Sequence, residues 1–242
     1  MQINLHLHHA AAPPLAAQVD HLVVLAASLA EGVRWCESVL GVTPGPGGEH
    51  ALMGTHNRLF TLASPAFPLA YFEIIAIHSG APCARPAGTK RWFDMDNAEL
   101  QLQLEKTGPR LAHWVARTAR AQDAVRAWAH LGLERGKVIK ASRMTAQGLL
   151  DWKITVRDDG QRLFFGTLPT LIEWGGVHPA HSMSPSGVTL VSLRAQHPRP
   201  DALRDAYAAI GLTGVDATQG PPNLVATLQT PRGVVTLESK GL

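Results

Sequence analysis

Three short stretches, VLGV (Val39–Val42), HLGL (His130–Leu133) and AIGL (Ala209–Leu212), resemble one another, and each closes a run of apolar residues spaced for a helix. Glycine stands in each where a left-handed C-terminal cap needs it. The first helix opens on a capping box, Ser28 with Glu31, and carries Leu29, Val33, Cys36 and Leu40 on one face. The second shows Val125, Trp128 and Ala129, the third Leu203, Tyr207 and Ile210. All three read as amphipathic helices lying on a sheet.

Working outward from these helices, a strand-like run precedes each. In the first unit Val19–Ala26 comes before the helix, and EHALMG, RLFTLA and AYFEIIAI follow it. In the second, Arg110–Arg117 comes before, and KVIKASR, LDWKITV and LPTLIEW follow. That is a βαβββ unit used twice. The third unit is shorter: GVTLVSLRAQ, its helix, LVATLQT and GVVTLES make a partial βαββ unit. The expected fold is α+β, with paired βαβββ modules forming an open, barrel-like mixed sheet. The first module with its following loop spans 15–108, the second 109–180 and the third unit 181–242, packed as one globular protein.

Composition limits the function classes. The chain has 242 residues, 45% apolar and 17% charged, enough to bury one large core or two small ones. Its net charge of +3 comes from scattered Lys and Arg, which argues against nucleic acid. No apolar run has the length a bilayer needs, and MQINLHLHHAAAPPLA lacks the form of a secretory signal, so the expectation is a cytoplasmic protein with no membrane partner. Cys36 and Cys83 suggest neither a disulfide framework nor a zinc knuckle. With no Gly-rich phosphate loop, G-x-S-x-G elbow or CxxC pair, hydrolase and nucleotide-dependent readings lose their support.

Setting the units on their cap glycines aligns the polar residues. His21 stands 20 residues before Gly41, and His113 stands 19 before Gly132. Each unit's last strand carries one carboxylate in an apolar run, Glu73 in AYFEIIAI and Glu173 in LPTLIEWGG. An ionised carboxylate is costly to bury unless it is paired or bound to a cation. Two imidazoles and two carboxylates, one of each per unit, make a first coordination shell for a divalent metal: Zn, Ni, Fe or Mn. The plainer alternative for each is a hydrogen-bonded core residue. In the third unit Val191 replaces the histidine, so Glu238 reads as structural.

Other residues bear on substrate binding. In GTHNRL either His56, Arg58 and Phe60 or Asn57, Leu59 and Thr61 face the cleft. Arg58 is either a fork of donors for a substrate carboxylate or phosphate, or a surface arginine. Trp92 and Phe93 lie in the loop Ser79–Pro109 and are candidate walls for the cleft; Trp152 and Trp174 read more simply as core. In the same loop Asp96 with Glu99 caps a short helix bearing Leu100 and Leu104. The pair His178 and His181, and the cluster His6, His8 and His9, read as solvated loop or terminal residues.

The module pattern over Val19–Gly175 resembles the vicinal oxygen chelate superfamily of glyoxalases, extradiol dioxygenases and bleomycin-resistance proteins. GTHNRLFTL, FEIIAI and LPTLIEWGG are similar to its glyoxalase-like domain proteins. The resemblance implies a metal held by the first and last strands of each module, at positions matching His21, Glu73, His113 and Glu173. It also implies a lyase or isomerase in which Glu73 or Glu173 shuttles a proton of a small oxygenated substrate, or an Fe(II) dioxygenase. The rival, from another class, is a metal-free protein that binds or sequesters a small ligand between the modules. Modules paired within one chain or across a homodimer would build the same cleft; the third unit, filling the dimerising edge, favours one chain.

Overall fold

The computed structural model describes residues 13–241; His6, His8 and His9 lie outside them. The first module runs β1 (Gln18–Leu25), α1 (Leu29–Leu40), β2 (Glu49–His50), β3 (Thr55–Thr61) and β4 (Tyr71–Ile77). After helix α2 (Ala98–Thr107), the second runs β5 (Arg110–Arg117), α3 (Ala121–His130), β6 (Lys137–Thr145), β7 (Gly148–Val156) and β8 (Thr170–Trp174). Their eight strands form one mixed, barrel-like sheet in the order β2, β3, β4, β1, β5, β8, β7, β6.

The two modules are built alike. In each, the first strand pairs in parallel with the last, β1 with β4 and β5 with β8, and the crossover contains a helix. The antiparallel pair β1 and β5 joins the halves within this one chain. Its register sets His21 opposite Val115 and Val23 opposite His113, which makes the two histidines equivalent about a local two-fold.

Strand alternation divides the core between the sheet's two faces. Leu22, Val24, Phe72, Ile74, Trp114 and Leu171 face α1 and α3, where Cys36, Leu40, Ala124 and Trp128 meet them. Val23, Leu25, Ile75 and Val115 face the inside of the curve, which Leu100 and Leu104 of α2, with Trp92, Phe93 and Met95, partly fill. The candidate site occupies the rest of that inner face.

The predicted helix ends are observed, with Gly41, Gly132 and Gly211 at φ of 75°, 72° and 63°. Gly211 is required twice over, because a Cβ there would also stand 1.9 Å from the Leu15 carbonyl oxygen. Ser28 accepts from the Glu31 amide as expected. For α2 the cap is one residue later than predicted: Asn97 accepts from the Glu99 and Leu100 amides, while Asp96 pairs with Arg91.

The third unit differs from the sequence expectation. It runs β9 (Thr189–His197), α4 (Pro200–Ala209), β10 (Val215–Gln219), β11 (Asn223–Thr230) and β12 (Gly233–Glu238), in a separate sheet ordered β10, β9, β11, β12. The added strand, VDATQ, is short and largely polar, and it buries only Val215 and Ala217 against the core. It forms because α4 returns the chain alongside β9, with which β10 pairs in parallel. Among the described residues no helix is long and apolar enough to cross a membrane.

Candidate functional site

The inner face of β1 and β4 carries a buried chain of charge. His21 Nδ1 donates to Asp20 Oδ1 at 2.6 Å, and its Nε2 faces Glu73 Oε2 at 3.5 Å. Glu73 Oε1 accepts from Asn57 Nδ2 at 2.6 Å. Asp20, wholly buried, has two further donors on its Oδ2, Trp174 Nε1 and His178 Nε2, each at 2.9 Å. His178 Nδ1 accepts from the Ala180 amide, which fixes the ring proton on the nitrogen facing Asp20. Tyr71 stacks on His21 with ring centroids 4.5 Å apart.

These contacts set the ionisation. Burial opposes charge on all three groups, and the network outweighs it. Asp20 is held well below the usual carboxylate range by its bonds to His178 and His21. Glu73 is lowered by its contacts with His21 and Asn57. His21, between the two carboxylates, is raised to about 9, so at neutral pH it is an imidazolium. Nearby His50 is pushed down to about 4 by burial and stays neutral.

Because folding raises His21 from 6.5 to about 9, it favours the protonated ring. The resulting stability is fully present below pH 6.5 and lost as pH rises to 9, a change on the order of 3 kcal/mol. Urea unfolding at pH 6 and pH 9.5 should show that drop in the wild type and a much flatter response in His21→Gln; equal responses would place the charge elsewhere.

The second half of the sheet has no such chain. His113 is buried, but Nδ1 donates to the Gly166 carbonyl at 3.0 Å, and Nε2 accepts from the Thr170 hydroxyl at 2.9 Å. Burial and the charge of Arg135 hold its pKa well below the ordinary value, so it is a neutral, fully bonded core residue. Register explains the missing carboxylate. Val23 pairs with Glu73, and its equivalent Val115 pairs with Thr170, so the counterpart of Glu73 is Thr170 and not Glu173.

Glu173 lies an odd three residues farther on and projects from the other face, where it accepts from the Ala121 amide at the start of α3 and pairs with Lys153 at 2.5 Å. Glu173→Ala is expected to cost about 1 kcal/mol as a lost helix cap. It should leave the His21 titration, followed by NMR, unchanged.

The divalent metal implied by the sequence resemblance needs donors that converge. His21 and Glu73 do; His113 has both nitrogens engaged, and Glu173 is across the sheet. Among the described residues no group of three or more His, Cys, Asp and Glu side chains stands in a ligating arrangement. The expected four-residue set does not fit a metal site here.

Of the residues expected to bind substrate, Asn57, Trp92 and Phe93 line a cavity of about 30 Å³ together with His21 and Glu73. Arg58 does not; alternation along β3 turns it to solvent because Asn57 faces inward. Phe93 and Asp94 sit at φ of 60° and 59°, a costly backbone for non-glycine residues. The Asp94 ion pair with Arg162 at 2.8 Å and a hydrogen bond from the Asp94 N–H to the Gly160 carbonyl hold them there. Trp152 and Trp174, read as core, also line the cavity.

Tyr71 shares the face of Glu73, as strand alternation places it, whereas Asp20, His50 and Arg143 are not singled out by the sequence and His178 reads there as solvated. Asp20 had a local signal, a carboxylate directly before His21 inside an apolar strand. His178 had none, because the segment after β8 brings it back across the sheet to Asp20.

A sheet of paired βαβββ halves with an acid–base cluster on its inner face defines a class, and comparison with known proteins gives the same one. Residues 19–211 match the glyoxalase-like domain family model. The chain belongs to the glyoxalase-like domain family. No curated protein matches it in sequence. Among solved structures, a hypothetical protein from Staphylococcus aureus is similar at 12% identity, with a TM-score of 0.55 over 92% of this chain and 85% of that one. Methylmalonyl-CoA epimerase from Mycobacterium tuberculosis is similar at 16% identity, with a TM-score of 0.37 over 68% of this chain and 91% of that one.

Proposed function

We propose that the protein is an enzyme of proton transfer, an isomerase or lyase acting on a small oxygenated substrate. The observation that carries this reading is the buried pair of Glu73 carboxylate and His21 imidazolium, 3.5 Å apart at the cavity wall. One is a base and the other an acid, and their separation exceeds a good hydrogen bond, so both can address a third atom.

In this reading Glu73 removes a proton from a carbon next to a carbonyl group. The C–H electron pair moves into an enolate, whose oxygen His21 Nε2–H stabilises. His21 then gives its Nε2 proton to that oxygen to form the enol, and Glu73 passes the proton it took from carbon back to His21, which completes a keto–enol isomerisation; Asp20 and Asn57 hold the two groups in place. The pair acts without an ion, so activity is expected to survive treatment with a chelator.

The test is proton NMR in D2O with a panel of hydroxyketones and 2-oxo acids. The wild type is expected to speed loss of the signal at the carbon beside the carbonyl. Saturable binding of these compounds with no faster exchange would overturn the reading and favour a ligand-binding protein.

A further inference from the structure

Two hydrogen-bond donors on cavity-lining side chains are unaccounted for by proton transfer. Trp92 and Arg143 both line the cavity, and Trp92 Nε1 and Arg143 Nη1 are buried with no hydrogen-bond partner among the described residues. An orphaned buried donor costs free energy, most of all on a charged group, so each points to an acceptor supplied by a ligand. Trp92 itself is 7% exposed.

The fold directs Arg143 to this position. It projects from β6, and a Cβ on Gly48 would stand 2.2 Å from its Nη1, so the absence of a side chain in the loop Gly47–Gly48 makes room for the guanidinium. No ion pair to Arg143 occurs among the described residues. The cavity opens along Arg143, Leu59, Leu150 and Pro179 into a groove of about 700 Å³, a volume typical of a ligand site. Met144, Leu149 and Val177 line that groove and are 75%, 58% and 48% exposed.

The geometry points to a substrate with a carboxylate head and an apolar body. The carboxylate accepts from Arg143 and Trp92 at the cavity wall, which leaves the neighbouring carbonyl and its carbon to meet His21 and Glu73 on the same wall. The body lies in the groove against Met144, Leu149 and Val177. The assignment rests on the proton-transfer reading of the same site and narrows its substrate to small apolar carboxylic acids carrying a carbonyl.

The experiment follows the indole N–H signals of the six tryptophans by 1H–15N NMR while phenylpyruvate is added, with Trp92→Phe assigning the Trp92 signal. The Trp92 signal is expected to shift saturably. Arg143→Gln, on a partly exposed strand, should weaken binding at least ~10-fold with the other indole signals unmoved. Gly48→Ala, which displaces the guanidinium, should do the same.

An unmoved Trp92 signal, undiminished affinity in Arg143→Gln, or equal affinity for the neutral analogue 2-phenylethanol would each overturn the proposal. Failure of the proton-transfer reading looks different: the acid binds through Arg143, but no exchange follows.

Discussion

Asp20→Asn is expected to cost about 3–5 kcal/mol of unfolding free energy and to lower the thermal midpoint by roughly 10 °C. Asp20 is wholly buried, and its two oxygens take donors from His21, Trp174 and His178. An asparagine keeps the shape but offers one oxygen and an NH2 group. One of the three donors then meets another donor across a buried contact, and His21 loses the anion that keeps it protonated. A loss below about 1 kcal/mol would mean that the network is not ionised. The double variant Asp20→Asn with His21→Gln should be less destabilised than the sum of the two single changes, because the residues share one interaction.

Glu73→Gln is expected to lower the wild-type exchange rate by about 10²- to 10⁴-fold, the usual contribution of a positioned general base. Glutamine is nearly isosteric and its carbonyl still accepts from Asn57, while His21 keeps the Asp20 carboxylate, so the chain should still fold, with a smaller stability loss than Asp20→Asn. That separation matters for reading the result. A rate loss measured on folded protein assigns Glu73 to the chemistry, and an unchanged rate removes it. Substituting His113 would not help to distinguish these outcomes, since its ring holds Gly166 and Thr170 in place and its loss would disturb the fold.

The comparison of sequence with structure turns on the difference between counting residues and pairing them. The cap glycines, both βαβββ modules and the equivalence of His21 and His113 were legible, because helix and strand periods survive divergence. The partner of each histidine was not. Glu173 is a carboxylate in a last strand like Glu73, yet the register makes Thr170 the true counterpart, and an odd offset sends Glu173 to the far face. Arg58 fails for the same reason, one position from Asn57. His178 and Arg143 reach the site from a distant segment and a hairpin edge, and local sequence holds no trace of such an approach.

The third unit ties both halves of the large sheet together from behind. It bonds to the first half through Leu190 N–H to the Leu62 carbonyl and Arg232 to the Glu37 carbonyl. On the second half Trp128 donates to the Ala206 carbonyl, and Tyr207 donates to that of Thr167. Mechanically this is a cross-brace over a hinge: it stiffens the seam between β1 and β5 against the clamshell motion that two joined halves would otherwise share. The wall that this brace does not reach is the hairpin of β6 and β7, where β6 is the edge strand carrying Arg143. The groove that adjoins the His21 cavity is lined by that hairpin, so the least braced wall is also the one that bears the guanidinium.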